Sequence, residues 1–437
     1  VTNLTDTQMA AVVAAVLGGM ILPQIALTGW FAWMVRRRMK APGDGALGRV
    51  AAAALPAEVV LCLRGCDATL EGVLEALSRQ QHRDWRLRVI VDSEEDPSWT
   101  VAHTAVRRLE ERGANWRQAT IEPLAVRPTT GSLKCASLRQ AFASLDPRSQ
   151  VVALLDADSV VRQDWLVTMV EETMRPGVGA VSGNRWYEPV HDSVAGTVRA
   201  IWNGGAIVQM AAFGIPWGGS LAVRREALDA TGWPEVIRTT LCEDTALAEP
   251  LARAGWTYRF VPSLIALDED DDVALGPLTR WITRQLLTAR LHHRSWPLVA
   301  VHGLGTSLAL LAALACAAMA AWRSSWNAMG IALGAIAVYE VVSALLYLAI
   351  ARTARVALGS MGSPLRPLWC RRGLWQVALI PLTQAVYGVA TVLAVVTRSI
   401  EWRGIVYDVA RFDGRPGVRI RSTSRQETAR AADAPTV

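Results

Sequence analysis

Hydrophobic and polar positions divide the chain into three stretches with different periods. From Met9 to Val35 no charge interrupts 27 positions, and the run ends in Trp30, Trp33 and Arg36-Arg37-Arg38-Met39-Lys40. A span needs about 20 apolar residues, whereas a secretory signal has an apolar part of roughly 7–15 with its positive charges in front. Residues 1–40 therefore read as a retained anchor, and the basic run behind it places the next domain in the cytoplasm. Over 56–276 short apolar runs such as Val59–Leu63, Leu87–Val91 and Val151–Leu155 alternate with amphipathic stretches such as Leu70 to Gln80. That alternation predicts an α/β domain with a mostly parallel sheet.

Beyond Gly276 the apolar text returns. Residues 277–296 have helical spacing, with Trp281, Ile282, Gln285, Leu286, Ala289 and Trp296 on one arc and Arg280, Arg284 and Arg294 opposite. An interfacial helix with its arginines toward lipid phosphates is expected. Residues 297–351 read as a transmembrane hairpin, and 352–412 as a basic interfacial stretch followed by an apolar segment broken at Pro381. A re-entrant pair of half-helices hinged at Pro381 keeps the basic end of the chain inside. The polar, aperiodic tail 413–437 is expected to be disordered.

Composition sharpens this picture. Charged residues are only 19% of 437, and the mean hydropathy is +0.23, which excludes a disordered or nucleic-acid-tail class. The net charge of +6 sets 43 arginines and two lysines, Lys40 and Lys134, against 39 acidic residues. It is assigned to lipid phosphates and a diphosphate rather than to nucleic acid. Eighteen tryptophans against five phenylalanines suit membrane-interface belts. Six cysteines without a CxxC pair indicate free thiols in a reducing compartment.

The candidate chemistry sits at predicted strand ends, where open α/β sheets bind ligands. Asp156-Ala157-Asp158 leaves the run Val151–Leu155, and two carboxylates there can hold a hard divalent cation and, through it, a diphosphate. Asp92 ends Leu87–Val91 and reads equally as a ligand contact or a helix cap. Glu243-Asp244 precedes a helix predicted over 245–254, whose N-terminus favours an ionised carboxylate, so Asp244 is compatible with a general base. Trp217-Gly218-Gly219 lets backbone N–H groups approach a ligand closely. Lys134 is a compact ammonium in an arginine-dominated chain, which hints at a specific contact. Asp268 to Asp272 reads as a solvated loop. Glu340, mid-span, is a functional candidate by its position, pairing with Gln384 or a lipid headgroup.

In this order the pieces resemble inverting family-2 glycosyltransferases with a GT-A domain, specifically the ceramide-glucosyltransferase-like membrane branch. The resemblance runs from Leu63-Arg64-Gly65-Cys66-Asp67 through Val91-Asp92, Asp156-Ala157-Asp158, Val181-Ser182-Gly183, Gly218-Gly219-Ser220, Glu243-Asp244 and Arg280-Trp281 to Trp402-Arg403-Gly404. It implies a Rossmann-like GT-A domain joined to transmembrane and interfacial helices. It implies transfer of a sugar, glucose by preference, from a UDP-sugar to a lipid hydroxyl of ceramide or diacylglycerol, with Mn2+ or Mg2+ on Asp156 and Asp158. Asp244, with Glu243, would be catalytic. Arg64, Asp92, Lys134, Asp156, Asp158, Arg280, Trp281 and Arg284 would bind the nucleotide sugar, and Trp217, Gly218, Gly219, Glu243 and Glu340 the acceptor. One departure stands out: Pro277 occupies the first position of the (Q/R)xxRW motif, and Arg284, one turn beyond Arg280, is the expected substitute. A processive polysaccharide synthase and a non-catalytic membrane scaffold are the competing readings.

Overall fold

The computed structural model describes residues 4–40, 48–189, 191, 193–269, 273–359 and 371–421. At its centre is a seven-stranded sheet built from β1 (Ala57–Leu63), β2 (Trp85–Val91), β3 (Gln118–Pro123), β4 (Val151–Leu155), β5 (Val178–Ser182), β7 (Ser220–Arg224) and β8 (Thr257–Phe260). The short β6 (Arg185–Tyr187) and β9 (Ala266–Asp268) pair with each other beside it. The strand order is β3-β2-β1-β4-β7-β5-β8, parallel throughout except that β7 runs antiparallel to both β4 and β5. This is the mostly parallel α/β layout expected for 56–276. The order reverses between β1 and β4, which makes their carboxyl ends the natural ligand crevice.

Period-two alternation explains the burial on both faces. Val59, Leu61 and Leu63 join Leu70, Leu74 and Leu166 on one side, while Val60 packs with Cys135, Leu138 and Trp233 on the other. One polar pair interrupts this core. Arg88 on β2 lies 2.6 Å from the fully buried Glu58 on β1 and 3.0 Å from Glu122.

Among the described residues three helices are long and apolar enough to cross a membrane: Asp6–Lys40, Trp296–Trp322 and Trp326–Leu358. Asp6 pairs at 2.7 Å with Arg323 in the far loop, while at the near end Arg38 bonds the Phe260 carbonyl and Arg355 pairs with Glu188. The Pro381 break is present: one helix ends at Ala378 and the next, Ile380–Val396, is only 17 residues long. It packs along Trp296–Trp322, with Ser307 donating to the Gln384 carbonyl at 3.0 Å and Tyr387 to the Val299 carbonyl at 3.2 Å. Its far end reaches the helix Leu275–His292, where Arg290 donates to the Val395 and Thr397 carbonyls.

Several expectations change. The helix expected over 277–296 runs Leu275–His292 and is buried on more than one side, with Ile282 and Leu286 but also Thr283, Leu287 and Leu291 covered. The tail does not lose structure at 413. β10 (Ser399–Trp402), β11 (Ile405–Phe412) and β12 (Arg415–Ile420) form an antiparallel sheet with Val418 fully buried. Residues 422–437, the expected disordered end, lie outside the described residues, as do 360–370 of the basic stretch. The helix expected at 245–254 begins only at Ala248.

Replacing Arg88 by Met strands a carboxylate inside the sheet. Arg88→Met is expected to destabilise the domain by about 3–5 kcal/mol, and adding Glu58→Gln to recover most of that loss. Thermal unfolding of the detergent-solubilised variants measures both.

Candidate active site

Strand ends bring the acids to one edge. After β1, Arg64 pairs with Asp92, which follows β2; Arg127 stands 3.6 Å away. Asp92 is not the helix cap. That role belongs to Asp96, which accepts from Ser98 N at 2.9 Å and from Gly65 N. Asp92 lines a cavity, and its Oδ1 atom is buried with no hydrogen-bond partner among the described residues.

Asp156 follows β4, and Lys134 sits 2.7 Å from its Oδ1. The lysine is placed by the start of helix Leu133–Ala143, capped by Ser132, and its ammonium also lies 2.8 Å from Glu243. Burial disfavours that ammonium, yet Asp156 and Glu243 together raise its pKa well above the ordinary lysine value. Asp158 is gripped by Arg185, with Nη2 at 2.5 Å and Nη1 at 3.0 Å. Desolvation pushes the Asp158 carboxyl up, but the charge and hydrogen bonds of Arg185 outweigh it and hold the pKa at about 2.

Asp244 reaches the cavity and is held on both oxygens. Gly218 N donates to Oδ2 at 2.7 Å, and Thr245 N donates to Oδ1 at 2.5 Å. The Cys242 thiol adds a third donor at 2.9 Å to Oδ1. These groups, rather than a helix N-terminus, hold the carboxylate in place, since the next helix starts four residues later, at Ala248. The adjacent glycines are required by close approach. A Cβ on Gly218 would lie 2.1 Å from Glu243 Oε1, and one on Gly219 2.7 Å from Asp156 Oδ2.

Glu243 departs from expectation. It is fully buried and does not line the cavity, so it acts on Lys134 rather than on an acceptor. Burial pushes its carboxyl up against the pull of Lys134. Gly218 likewise stands behind the wall that Trp217 and Gly219 form. Glu340 lies outside the cavity lining, and Gln384 contacts Thr306 at 3.4 Å instead of pairing with it.

The cleft helix Leu275–His292 supplies the opposite wall. Trp281 packs edge-on against Trp202 and Tyr187 at 5.5 and 5.8 Å, and Arg280 is exposed at the rim. Arg284 lies 4.8 Å over the Trp402 ring, and burial lowers its pKa. Among the described residues it makes no ion pair. An unpaired cation facing the cavity is a ready anion contact, whereas Pro277 offers none.

The sequence reading missed two cations. Arg185, besides gripping Asp158, lies 3.1 Å from Asp268, so Asp268 belongs to the site and not to a solvated loop; Asp270–Asp272 lie outside the described residues. Only its position after Gly183-Asn184 at a strand end could have marked Arg185. Arg403 bonds Asp67 at 2.9 Å and the Arg64 carbonyl, from a hairpin turn where Arg403 and Gly404 both have positive φ. Such a turn suits a tight two-residue hairpin. The motif Trp402-Arg403-Gly404 was visible, but not what it would touch.

All these walls surround one cavity of about 2070 Å³. It continues from Asp156, Asp158 and Asp244 to Gln24, His302, Ser343 and Tyr387 on the apolar helices. Typical small-molecule sites occupy roughly 300–1,000 Å³, so this one has room for more than a nucleotide sugar.

Paired strand-end acids facing such a cavity are consistent with a glycosyltransferase, and the family comparison shows that class. The model of glycosyl transferase family 21 matches residues 19–413, and the chain belongs to that family. The motif resemblance had named family 2; the class is common to both. Comparison with curated proteins finds no match. Among solved structures, a mannosyltransferase from Pyrobaculum calidifontis in complex with GDP-Man and Mn2+ is 17% identical, covering 88% of this chain and 99% of its own at a TM-score of 0.49. Glucosyl-3-phosphoglycerate synthase from Mycobacterium tuberculosis, in complex with Mn2+, UDP and phosphoglyceric acid, is 16% identical over 56% of this chain and 78% of its own, with a TM-score of 0.35.

The loop carrying Asp244 is fixed from the cleft helix, where His292 Nε2 accepts from Leu241 N at 3.1 Å. That bond needs the neutral ring, and burial lowers the His292 pKa from 6.5 to about 4. The unfolded chain therefore binds the extra proton first as pH falls. Stability from this group is complete above pH 6.5 and declines toward pH 4, by roughly 3 kcal/mol at the lower end. Unfolding temperatures across this range should show the slope in the native protein and a flatter one in His292→Gln; equal slopes would contradict it.

Proposed function

We propose that the protein transfers a sugar from a UDP-sugar to the hydroxyl of a membrane lipid with inversion, producing a β-glycolipid. UDP-glucose as donor and ceramide or diacylglycerol as acceptor are what the motif resemblance implies. The observation that carries the reading is the single cavity, whose polar end holds Asp92, Asp156, Asp158 and Asp244 and whose other walls come from membrane-length helices. A lipid can present its head to the catalytic edge while its chains stay among apolar walls. The bare orientation of the helices also supports a catalytic domain and C-terminal sheet on one side of the membrane, the cytoplasmic side by the basic run at Arg36–Lys40.

In this reading the Asp92 carboxylate meets the base or ribose. Arg284, Arg280 and Lys134 face the diphosphate, and Trp281 and Trp217 shape the sugar and acceptor region. Asp156 and Asp158 are hard oxygen donors opening on one cavity, a set that fits a divalent cation, Mn2+ or Mg2+, which when bound offsets charge on the leaving diphosphate. Asp244, steadied by Gly218 N, Thr245 N and Cys242, takes the proton of the acceptor hydroxyl. The new bond forms at the anomeric carbon from the face opposite the leaving diphosphate oxygen, whose bond breaks. One such displacement inverts the centre.

Asp244→Asn is expected to reduce transfer by about 10³-fold or more while UDP still binds. UDP release by the purified protein, assayed with and without ceramide or diacylglycerol, tests the acceptor class. Lipid-dependent single transfer is expected. Lipid-independent polymer formation would identify a polysaccharide synthase, and no release at all a scaffold.

A further inference from the structure

Arg185 is built into the site more firmly than a surface counter-ion. Its side chain is only 12% exposed, and its backbone carbonyl accepts from Asn203 Nδ2 at 2.6 Å. The guanidinium lies 5.3 Å over the Trp217 ring. One edge of its fork engages both Asp158 oxygens, while the same nitrogens reach Ser159 Oγ at 2.7 Å and Asp268 at 3.1 Å. A bidentate guanidinium–carboxylate pair is geometrically specific and roughly twice as strong as a neutral hydrogen bond. Asp158 thus has no oxygen clear of the fork. Asp156 is in a comparable position, 2.7 Å from Lys134.

We infer that Arg185 is a positioning residue that keeps the cation site closed until a diphosphate arrives. The inference rests on the proposal that Asp156 and Asp158 hold a divalent cation. A cation approaching the empty cleft meets a guanidinium of like charge already seated on the outer carboxylate. A diphosphate offers that guanidinium a second anion of matching fork geometry. With Asp268 and Ser159 retaining part of the fork, Arg185 can turn from Asp158 to the phosphate oxygens without leaving the wall. The freed carboxylate then becomes available to the cation, so nucleotide and cation enter together or nucleotide first. The expected gain is one of order: an aqueous cation has little hold on the resting site and is recruited with the donor.

The test uses the full-length, detergent-solubilised protein, with Mn2+ binding followed by electron paramagnetic resonance and UDP binding by calorimetry. In the native protein, UDP should tighten Mn2+ binding by about tenfold or more. Arg185→Gln should bind Mn2+ without UDP about tenfold more tightly than the native protein does, and should bind UDP without Mn2+ about tenfold more weakly. Arg185→Lys, which keeps the charge but loses the fork, should fall between. The two opposite shifts separate this role from a structural one, since a damaged site weakens both. The inference is overturned if the native protein binds Mn2+ equally with and without UDP, or if Arg185→Gln weakens both ligands. Failure of every form to bind Mn2+ even with UDP would remove the cation reading of Asp156 and Asp158, and the inference with it.

Discussion

Crowding of carboxylates at one sheet edge is the constraint on which the rest depends. The ends of β1, β2 and β4 converge where the strand order reverses, and they bring Asp67, Asp92, Asp156 and Asp158 together above the buried Glu243. Such a row is unstable in a partly dehydrated cleft unless each charge has a counter-ion. The chain supplies them from four different places: Arg64 from β1, Lys134 from a helix start, Arg185 from β6 and Arg403 from the C-terminal hairpin. The last of these has an architectural consequence. Because Arg403 follows the last apolar helix, its pairing with Asp67 closes the C-terminal sheet over the end of the cleft that holds Asp67 and Asp92.

That sheet is fastened along its length as well. Gly131 N donates to the Val418 carbonyl at 2.9 Å, and Ile420 N to the Thr129 carbonyl at 3.0 Å. Tyr407 is buried with its hydroxyl near Leu133 N, at the start of the helix that carries Lys134. The helix Ile380–Val396 and the cleft helix Leu275–His292 lie against each other, so membrane and catalytic parts share walls. The tryptophan excess fits this division. Trp322 and Trp326, 90% and 66% exposed, flank the short loop at the end of the helices remote from the α/β domain, whereas Trp202, Trp217, Trp281 and Trp402 line the cavity.

Periodicity made the α/β domain and the long apolar helices legible, because each depends on local spacing. Asp92, Asp156 and Asp158 were singled out because they follow apolar runs, and Asp244 because it precedes a predicted helix. What escaped was set by long-range contact. Arg185 and Asp268 meet only because β6 pairs with β9, 81 residues apart at Arg185 and Ala266. β12 was read as a disordered tail because Arg415–Ile420 is polar on one face and finds its apolar partners, Leu241 and Leu287 among them, elsewhere in the chain. Glu243 was assigned together with its neighbour Asp244, and nothing local indicates that its carboxylate is fully buried against Lys134.

Mass spectrometry of the lipids of cells expressing the protein tests the central claim most directly. The account predicts a hexosylated membrane lipid that accumulates with the native chain and is absent with Asp158→Ala at equal expression. An unchanged lipid profile with the native chain, or the same glycolipid made by Asp158→Ala, would contradict it.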